Sequence, residues 1–223
     1  MKVNKKRKSC IIFGSNTVAE VIAYLLEADS EYSVAGFCVS KEFRDADEFY
    51  GKPLVDFETV EKDFPQSSYE MFVAASYTNN NRVREQFYWE AKNKGYKLLT
   101  YVSSKATCMA KTIGDNTFIF EDNTIQPFVE IGSNVILWSG NHVGHHSVIE
   151  DNVFVSSHVV ISGLCRVGKN SFIGVNSTIK DGVKIGPYNT LGAAALILKD
   201  TPSDSVYVGV RATEWPPKDR AIK

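Results

Sequence analysis

All four histidines of the chain, His142, His145, His146 and His158, fall within one 17-residue window. Histidine suits general acid–base catalysis because its pKa lies near neutrality. Such a side chain can take a proton from an attacking group and return it to a leaving group. The window is therefore the first place to look for chemistry, although histidine is also common on surfaces and at subunit contacts.

The histidines lie inside a repeat of six residues that positions them. An aliphatic residue returns at every sixth position, fifteen times in succession. The residues are Ile113, Ile119, Ile125, Ile131, Leu137, Val143, Ile149, Val155, Ile161, Val167, Ile173, Ile179, Ile185, Leu191 and Ile197. The residue four places after each is small or of modest size, as a narrow interior requires. A period of six fits neither a single strand nor a helix and predicts a parallel β-helix.

This repeat resembles that of the left-handed β-helix acyltransferases, whose triangular cross-section has one hexapeptide on each side. The resemblance implies a coil of eighteen residues and a prism of about five coils. Gly163 would then stack one coil beyond His145. A glycine there leaves room for a thioester and exposes a backbone amide as an oxyanion donor, or it only relieves a corner of the chain.

Residues 9–102 show a different pattern, in which apolar runs alternate with helical ones. It predicts strands at 9–13, 33–39, 71–75 and 97–102, helices at about 18–26, 57–64 and 82–94, and an irregular stretch at 40–52. This order is typical of a small Rossmann-like βαβ parallel sheet. We predict an α/β domain at 1–104, an all-β prism at 105–200 and a C-terminal extension at 201–223.

The first strand is followed by Gly14, Ser15, Asn16 and Thr17, and the second by Ser40. Loops after parallel strands meet at one edge of a sheet, where ligands gather. Free amides at the start of the helix suit an anion. A dinucleotide fingerprint needs three spaced glycines and only one is present. We predict that these five residues contact a mononucleotide, with a plain strand-to-helix turn as the alternative.

The combination of the two domains resembles the nucleotide-sugar N-acyltransferases of the bacillosamine-pathway type and the related sialic acid O-acetyltransferases. The resemblance implies a nucleotide in the first domain, a homotrimer with active sites between subunits, and acetyl-CoA in a groove between neighbouring prisms. It covers nearly the whole chain, from residue 11 to about 212.

Within that resemblance, His145 matches the catalytic histidine, in the stretch Gly144-His145-His146-Ser147. The family usually has an acidic residue next, which helps to orient the ring, and here that residue is His146. A second imidazole lacks a fixed negative charge, so orientation would come from another acid or from a backbone carbonyl. Asn141, His142 and His146 are assigned to substrate contact.

The resemblance also extends to the last coils. Gly192 and Ala193 resemble the small residues that line the pantetheine groove, and Arg211 stands in the tail where proline is usual, with a CoA phosphate as its possible contact. Cys165 falls in a small inward slot and is read as a structural thiol. We therefore predict direct attack on the thioester without an acyl-enzyme.

The predicted function is acetyl-CoA-dependent N-acetyl transfer to a UDP- or dTDP-linked 4-amino-4,6-dideoxyhexose. O-acetylation of a sugar or sialic acid is the main alternative. Two alternatives are more remote. One is a γ-type carbonic anhydrase, which shares the prism fold and binds zinc with three histidines across a subunit interface; the other is a non-enzymatic assembly module.

Composition limits the other classes of function. A net charge of −1 gives no general attraction to nucleic acid. No apolar run approaches the roughly 20 residues of a membrane span, and the four cysteines have no paired spacing. We expect a cytoplasmic protein without a metal, a nucleic-acid partner or a membrane anchor.

Overall fold

The computed structural model describes residues 7–212, and most of them build a triangular prism of three parallel sheets with seven, six and five strands. Face A contains β6 Tyr101–Val102, β9 Phe118–Ile119, β12 Ile136–Leu137, β15 Phe154–Val155, β18 Phe172–Ile173, β21 Thr190–Leu191 and β23 Val206–Tyr207. Face B contains β7 Thr107–Cys108, β10 Thr124–Ile125, β13 His142–Val143, β16 Val160–Ile161, β19 Thr178–Ile179 and β22 Leu196–Ile197. Face C contains β8 Thr112–Ile113, β11 Glu130–Ile131, β14 Val148–Ile149, β17 Arg166–Val167 and β20 Lys184–Ile185.

The register of the prism is the predicted one. Strands pair with a step of eighteen residues, as in Ile125 with Val143 and Val143 with Ile161. Of the fifteen aliphatic positions all but Ile113 are buried, and so are all the small residues four places later. The six-residue period and the narrow interior are confirmed. The prism also gains β6, β7 and β23, which lie outside the predicted run.

Each corner of the prism is made by one residue with a positive φ, three places after the aliphatic one. Asparagine tolerates this left-handed conformation better than most residues. The residues at these corners define three edges. The A–B edge has Asp122, Gly140, His158, Asn176 and Ala194; the B–C edge has Phe128, His146, Leu164 and Gly182; the C–A edge has Asn116, Asn134, Asn152, Asn170 and Tyr188.

The N-terminal part is a five-stranded sheet in the order β3-β4-β2-β1-β5, parallel except for β3. Its strands are β1 Lys8–Phe13, β2 Tyr32–Val39, β3 Glu48–Phe49, β4 Lys52–Asp56 and β5 Glu70–Val73, and its helices are α1 Thr17–Asp29 and α2 Arg82–Asn93. The predicted α/β character is confirmed. The division of the chain at residues 104 and 200 stays a prediction, as does the extension from 201, of which residues 213–223 lie outside the described residues.

Three local predictions differ from the structure. The stretch 40–52 contains β3, which forms an antiparallel hairpin with β4. The helix predicted at 57–64 is the 3-10 segment Phe57–Lys62. The strand predicted at 97–102 makes only a single bridge to the sheet, from Leu98 to Met71, and its end becomes β6 of face A. Its apolar residues are buried, but by the prism as much as by the sheet.

The N-terminal part packs against face A. The outward residues Phe118, Ile136 and Phe154 share one buried cluster with α1 and the sheet. Tyr77, in the loop before α2, contacts the rings of Phe154 and Phe172 at centroid distances of 5.2 and 4.8 Å. The first domain therefore lies level with the coils that carry these two rings.

A second attachment runs along the C–A edge. Asn116, Asn134, Asn152 and Asn170 form a ladder in which each amide donates to the side-chain oxygen of the next, at 2.8 to 3.3 Å. Beside this ladder the fully buried Arg84 of α2 donates to the carbonyl oxygens of Asn134 and Asn152, and to Val153. Burial lowers the pKa of Arg84 to about 9. The guanidinium is thus held by carbonyl dipoles of the prism, and it fixes α2 to this edge.

Among residues 7–212, no helix combines the length and the apolar character that crossing a membrane requires.

We predict that Arg84→Met lowers the free energy of unfolding by about 3 kcal/mol, because several buried carbonyl groups lose their donor. The measurement is urea unfolding at neutral pH. Arg82→Met is the matched control: Arg82 is exposed, reaches Asp204 only at 4.0 Å and stacks on Tyr188, so its loss should cost about 1 kcal/mol or less. Equal stability of the two variants would contradict the role given to Arg84.

Candidate active site

His145 lies directly before the corner residue of the B–C edge, and its ring is exposed. The backbone around it is fixed on both sides. Its N–H donates to Gln126 Oε1 at 2.9 Å, and its carbonyl oxygen accepts from Leu164 N at 2.9 Å. A rigid backbone carries an accessible imidazole, which is what a general base requires.

Gly163 lies beneath this ring, as the eighteen-residue step predicts. A methyl group built on Gly163 would be 3.0 Å from both Cε1 and Nε2 of His145. Gly163 is buried, yet within residues 7–212 its N–H donates no hydrogen bond. The structure therefore brings the imidazole and an uncommitted amide donor together at one point of the prism.

His146 makes a direct contact with His145. The two Nδ1 atoms are 3.1 Å apart, with ring planes at 84°. His146 has a φ of 57°, as its corner position demands, and its ring lies 4.6 Å from that of Phe128. Among the described residues, no carboxylate and no backbone carbonyl is hydrogen-bonded to the His145 ring. The His146 imidazole is the group that contacts its Nδ1.

Asp181 belongs to the same column and was missed in the sequence. It follows Gly163 by one further coil, and its Oδ1 would be 3.3 Å from a methyl group on Gly163. The space left by the missing side chain of Gly163 is thus bordered by His145 Nε2 and by a carboxylate. Counting a second step of eighteen from His145 would have found this residue.

Two of the predicted substrate contacts on this face differ in their environment. Asn141 is buried inside the prism, where it donates to Trp138 O at 2.6 Å and accepts from Val159 N at 2.8 Å. The assignment of Asn141 to the substrate is therefore wrong, because its position is one of the small inward slots. His142 points outward from face B and is partly exposed.

The predicted CoA contacts Gly192 and Ala193 lie at the A–B edge, not beside His145. Gly192 N–H donates to Tyr207 O at 2.7 Å, so this amide is not free for a ligand. Ala193 is exposed beside the corner residue Ala194. Arg211 is exposed in the tail that follows β23. Within one chain these residues do not share a site with His145.

A cavity of about 390 Å³ lies at the carboxyl edge of the N-terminal sheet. Its walls are largely apolar, with polar groups from the loops after β1, β2 and β5. The lining residues are Phe13, Gly14, Ser15, Asn16, Val39, Ser40, Phe43, Ala75, Ser76, Thr78, Val83 and Phe87. The size and the mixture of apolar walls with few polar groups are typical of small-molecule sites.

Within this cavity the predicted residues play different parts. Gly14 has a φ of 126°, which side chains rarely adopt. Asn16 Oδ1 accepts from the N–H groups of Val18 and Ala19, so two of the helix amides expected for an anion are already bonded. Thr17 is exposed at the start of α1 and does not line the cavity. Gly14, Ser15, Asn16 and Ser40 do line it.

The cavity and His145 lie on opposite sides of the prism. The cavity belongs to the domain that covers face A, and the loop before α2 borders it. His145 lies at the edge between the other two faces. Because Tyr77 contacts the coils of Phe154 and Phe172, the cavity is nevertheless close to His145 in height along the prism axis.

No group of three histidine, cysteine or acidic side chains within residues 7–212 is arranged to hold a metal ion. The thiols are also poor nucleophiles. Cys10, Cys38 and Cys165 are buried, and only Cys108 is partly exposed. Burial raises the pKa of Cys10 to about 12 and raises the pKa values of Cys38 and Cys165 as well.

We predict that a disulfide reagent at pH 8 modifies only Cys108 quickly in the native protein, since a raised pKa keeps the other three thiols protonated. All four should react once the protein is unfolded in urea. A Cys108→Ser variant should lose the fast phase. Rapid native modification of Cys165, located by peptide mass analysis, would contradict its structural role.

The comparisons with known proteins agree with this architecture. The profile of the bacterial transferase hexapeptide family (six repeats) matches residues 111–145 and 164–199. An acyl-[acyl-carrier-protein]–UDP-N-acetylglucosamine O-acyltransferase of Burkholderia orbicola is 28% identical over 96 residues, which are 43% of this chain and 32% of that protein. The match thus spans about a third of the length of this relative.

Two solved structures are similar over almost the whole chain. The acetyltransferase domain of PglB from Neisseria gonorrhoeae, in complex with acetyl coenzyme A, has a TM-score of 0.80 at 23% identity, covering 91% of this chain and 97% of that one. PerB from Caulobacter crescentus, in complex with CoA and GDP-perosamine, has a TM-score of 0.79 at 22% identity, covering 92% and 96%. The profile thus matches two stretches of the prism, and the whole chain shares its left-handed β-helix fold, with the α/β part before it, with these two proteins.

Proposed function

We propose that the chain is an acetyl-CoA-dependent N-acetyltransferase that acts on a nucleotide-linked amino sugar. The observation that carries this proposal is the exposed imidazole of His145 beside Gly163, a residue that leaves side-chain space open under the ring and whose N–H donates no hydrogen bond within residues 7–212. These are the base and the oxyanion donor that attack on a thioester requires. The fold shared with a protein that binds acetyl-CoA and with one that binds CoA and GDP-perosamine supports the same class of reaction.

In the proposed reaction the amine nitrogen attacks the thioester carbonyl carbon, and the carbonyl oxygen gains charge beside Gly163 N–H. His145 Nε2 takes a proton from the attacking nitrogen. When the C–S bond breaks, the imidazolium returns that proton to the sulfur of CoA. The acetyl group passes directly to nitrogen, so the buried Cys165 has no part in the reaction.

His146 would act through His145. For Nε2 of His145 to accept a proton, its other nitrogen must carry the hydrogen, so Nδ1–H donates to Nδ1 of His146 at 3.1 Å. Charge that develops on His145 is then shared with a second imidazole, where the usual acid would offer a carboxylate. The contact with the Phe128 ring holds the His146 ring for this purpose.

The cavity at the sheet edge would hold the nucleotide part of the acceptor. Apolar walls from Phe13, Val83 and Phe87 suit the base and ribose, while Ser15 and Ser40 offer hydroxyl groups. The Asn16 side chain is engaged as the helix cap, and Gly14 N–H donates to Cys38 O. The backbone amides of Ser15 and Asn16 are the remaining donors for a phosphate. UDP, dTDP and GDP are the nucleotides to be tested, the last because PerB was solved with GDP-perosamine.

We further propose that the active site forms between subunits of a homotrimer. Within one chain the cavity lies over face A and His145 at the opposite edge, so a sugar bound by one chain would reach the His145 of a neighbour. The exposed apolar residues Phe128 and Leu164, which flank His146 along the B–C edge, are the natural surface for a neighbouring prism. CoA would lie between this edge and the Ala193 edge of the next chain, with Arg211 as a candidate phosphate contact.

O-acyl transfer is the second candidate, because the base and the oxyanion donor serve a hydroxyl acceptor equally well. The similarity to the Burkholderia relative, an acyl-[acyl-carrier-protein]–UDP-N-acetylglucosamine O-acyltransferase, favours this second candidate. Free sialic acid is one hydroxyl acceptor of this kind. A γ-type carbonic anhydrase has no comparable observation in its favour.

The function is tested by offering acetyl-CoA with nucleotide-linked 4-amino sugars, the matching 4-hydroxy sugars and free sialic acid, and by following CoA release with a thiol reagent. We expect turnover with at least one UDP-, dTDP- or GDP-linked amino sugar, and mass spectrometry should show one acetyl group on nitrogen. Turnover with sialic acid alone would contradict the proposal.

In the same assay, His145→Asn should lower kcat by about 10² to 10⁴-fold, because asparagine keeps a polar side chain but cannot act as the base. Thermal unfolding of the variant should match the wild-type chain, since the exposed ring contributes little to packing. An active variant, or one that has lost its fold, would remove the support for His145 as the base.

A further inference from the structure

The side chain of Asp181 is uncommitted, whereas three other acids of the prism bind backbone amides. Asp151 occupies the same place in its hexapeptide, two residues after the aliphatic one, and its Oδ1 accepts from Ser133 N at 2.7 Å. Asp200 and Glu150 likewise accept from backbone amides one coil away. Asp181 is exposed and forms neither a hydrogen bond nor an ion pair with any residue of the 7–212 range.

The place of Asp181 is set by the column it belongs to. Both its Oδ1 and His145 Nε2 border the position where a side chain of Gly163 would be, at 3.3 and 3.0 Å. The space between them is the one in which the attacking atom must lie if His145 is the base and Gly163 N–H the oxyanion donor. A carboxylate is therefore within reach of the nucleophile but bonded to nothing else.

The charged groups around this space are few. The imidazole of His145 borders it from the coil before Gly163, and the His146 ring lies behind that of His145 as its Nδ1 partner. Lys180 precedes Asp181 in sequence and Lys199 follows one coil later, and neither forms an ion pair with it in the described part of the chain. The local charge that a nucleophile meets is thus mainly that of the carboxylate.

We infer that Asp181 determines specificity for an amine acceptor by binding it as the ammonium ion. This inference rests on the proposed function and narrows it. Aliphatic amines are largely protonated at neutral pH, and a hydrogen bond between an ammonium and a carboxylate is about twice as strong as a neutral one. A hydroxyl acceptor gains no such charge-assisted bond.

The proton balance is consistent with this role. The bound ammonium first loses one proton to solvent, and the neutral amine keeps one N–H on Asp181 while its lone pair faces the carbonyl carbon. After attack the tetrahedral nitrogen gives a second proton to His145 Nε2, and the imidazolium delivers it to the CoA sulfur as the C–S bond breaks. The products are the amide, CoA–SH and one proton.

The test is Asp181→Asn, assayed from pH 6.5 to 9.5 with the amino-sugar acceptor that the wild-type chain uses best. We expect KM for the acceptor to rise about 10- to 100-fold at pH 7, as for the loss of a hydrogen bond between charged groups. The difference should shrink as the pH rises through the pKa of the sugar amine, because the ammonium disappears. KM for acetyl-CoA should not change.

Asp151→Asn is the matched control, since it removes the same carboxylate from the same repeat position on another edge. It should leave the acceptor KM unchanged. If Asp181→Asn behaves like this control, or loses the same factor at every pH, the inference is wrong while the proposed function stands. If the wild-type chain transfers acetyl only to hydroxyl acceptors, or transfers none, both fail together.

Discussion

The attachment of Arg84 to the prism is the constraint on which the arrangement of the proposed site depends. A fully buried guanidinium donates to carbonyl oxygens of successive coils and lies beside a ladder of four asparagines. The preceding residue of the same helix, Val83, lines the cavity at the sheet edge. The height of that cavity along the prism is therefore set by backbone groups of the prism itself, and not by a flexible linker between two domains.

The second constraint is the fixed step of eighteen residues. Because every coil repeats the last, residues in one column share one environment, and a difference within a column stands out. Along the column of His145, the next member lacks a side chain and the one after that is a carboxylate without a partner. The base, the missing side chain and the carboxylate thus lie in one column because of chain register alone. The corner residues that follow them are a His, a Leu and a Gly, where the C–A edge has asparagines.

How far the sequence could predict this structure follows from what each pattern encodes. The positions that the repeat predicts to point inward are buried in the structure. The period, the strand register and the stacking of Gly163 on His145 could therefore be predicted from the sequence. The stretch at 97–102 could not, since an apolar run does not say whether Leu98 and Tyr101 are buried by the sheet or by the prism. Asn141 was assigned to substrate contact although its place in the repeat is an inward one. Gly192 was chosen for its size, and only the structure reveals that β23 already uses its amide.

The partner of His145 was the least predictable part of the site. A sequence comparison notices the missing acid, but the Nδ1–Nδ1 contact depends on the left-handed conformation of His146 and on the ring of Phe128, which is eighteen residues away. Asp181, in contrast, could have been predicted. The step of eighteen residues that leads from His145 to Gly163 leads from Gly163 to Asp181. The separation of the cavity from His145 depends on which face of the prism the first domain covers. No local sequence pattern encodes that choice of face.

The central claim, a site assembled from the cavity of one chain and the His145 of another, is tested most directly by mixing two inactive chains. His145→Asn removes the base, and Val83→Glu fills the cavity and repels phosphate. If sites are shared within a symmetric trimer, random mixing of equal amounts by co-expression leaves about a quarter of the sites with an intact pair. Acetyl transfer at about that fraction of the wild-type rate is the predicted result. Activity in the mixture no higher than in either variant alone would contradict a site shared between chains.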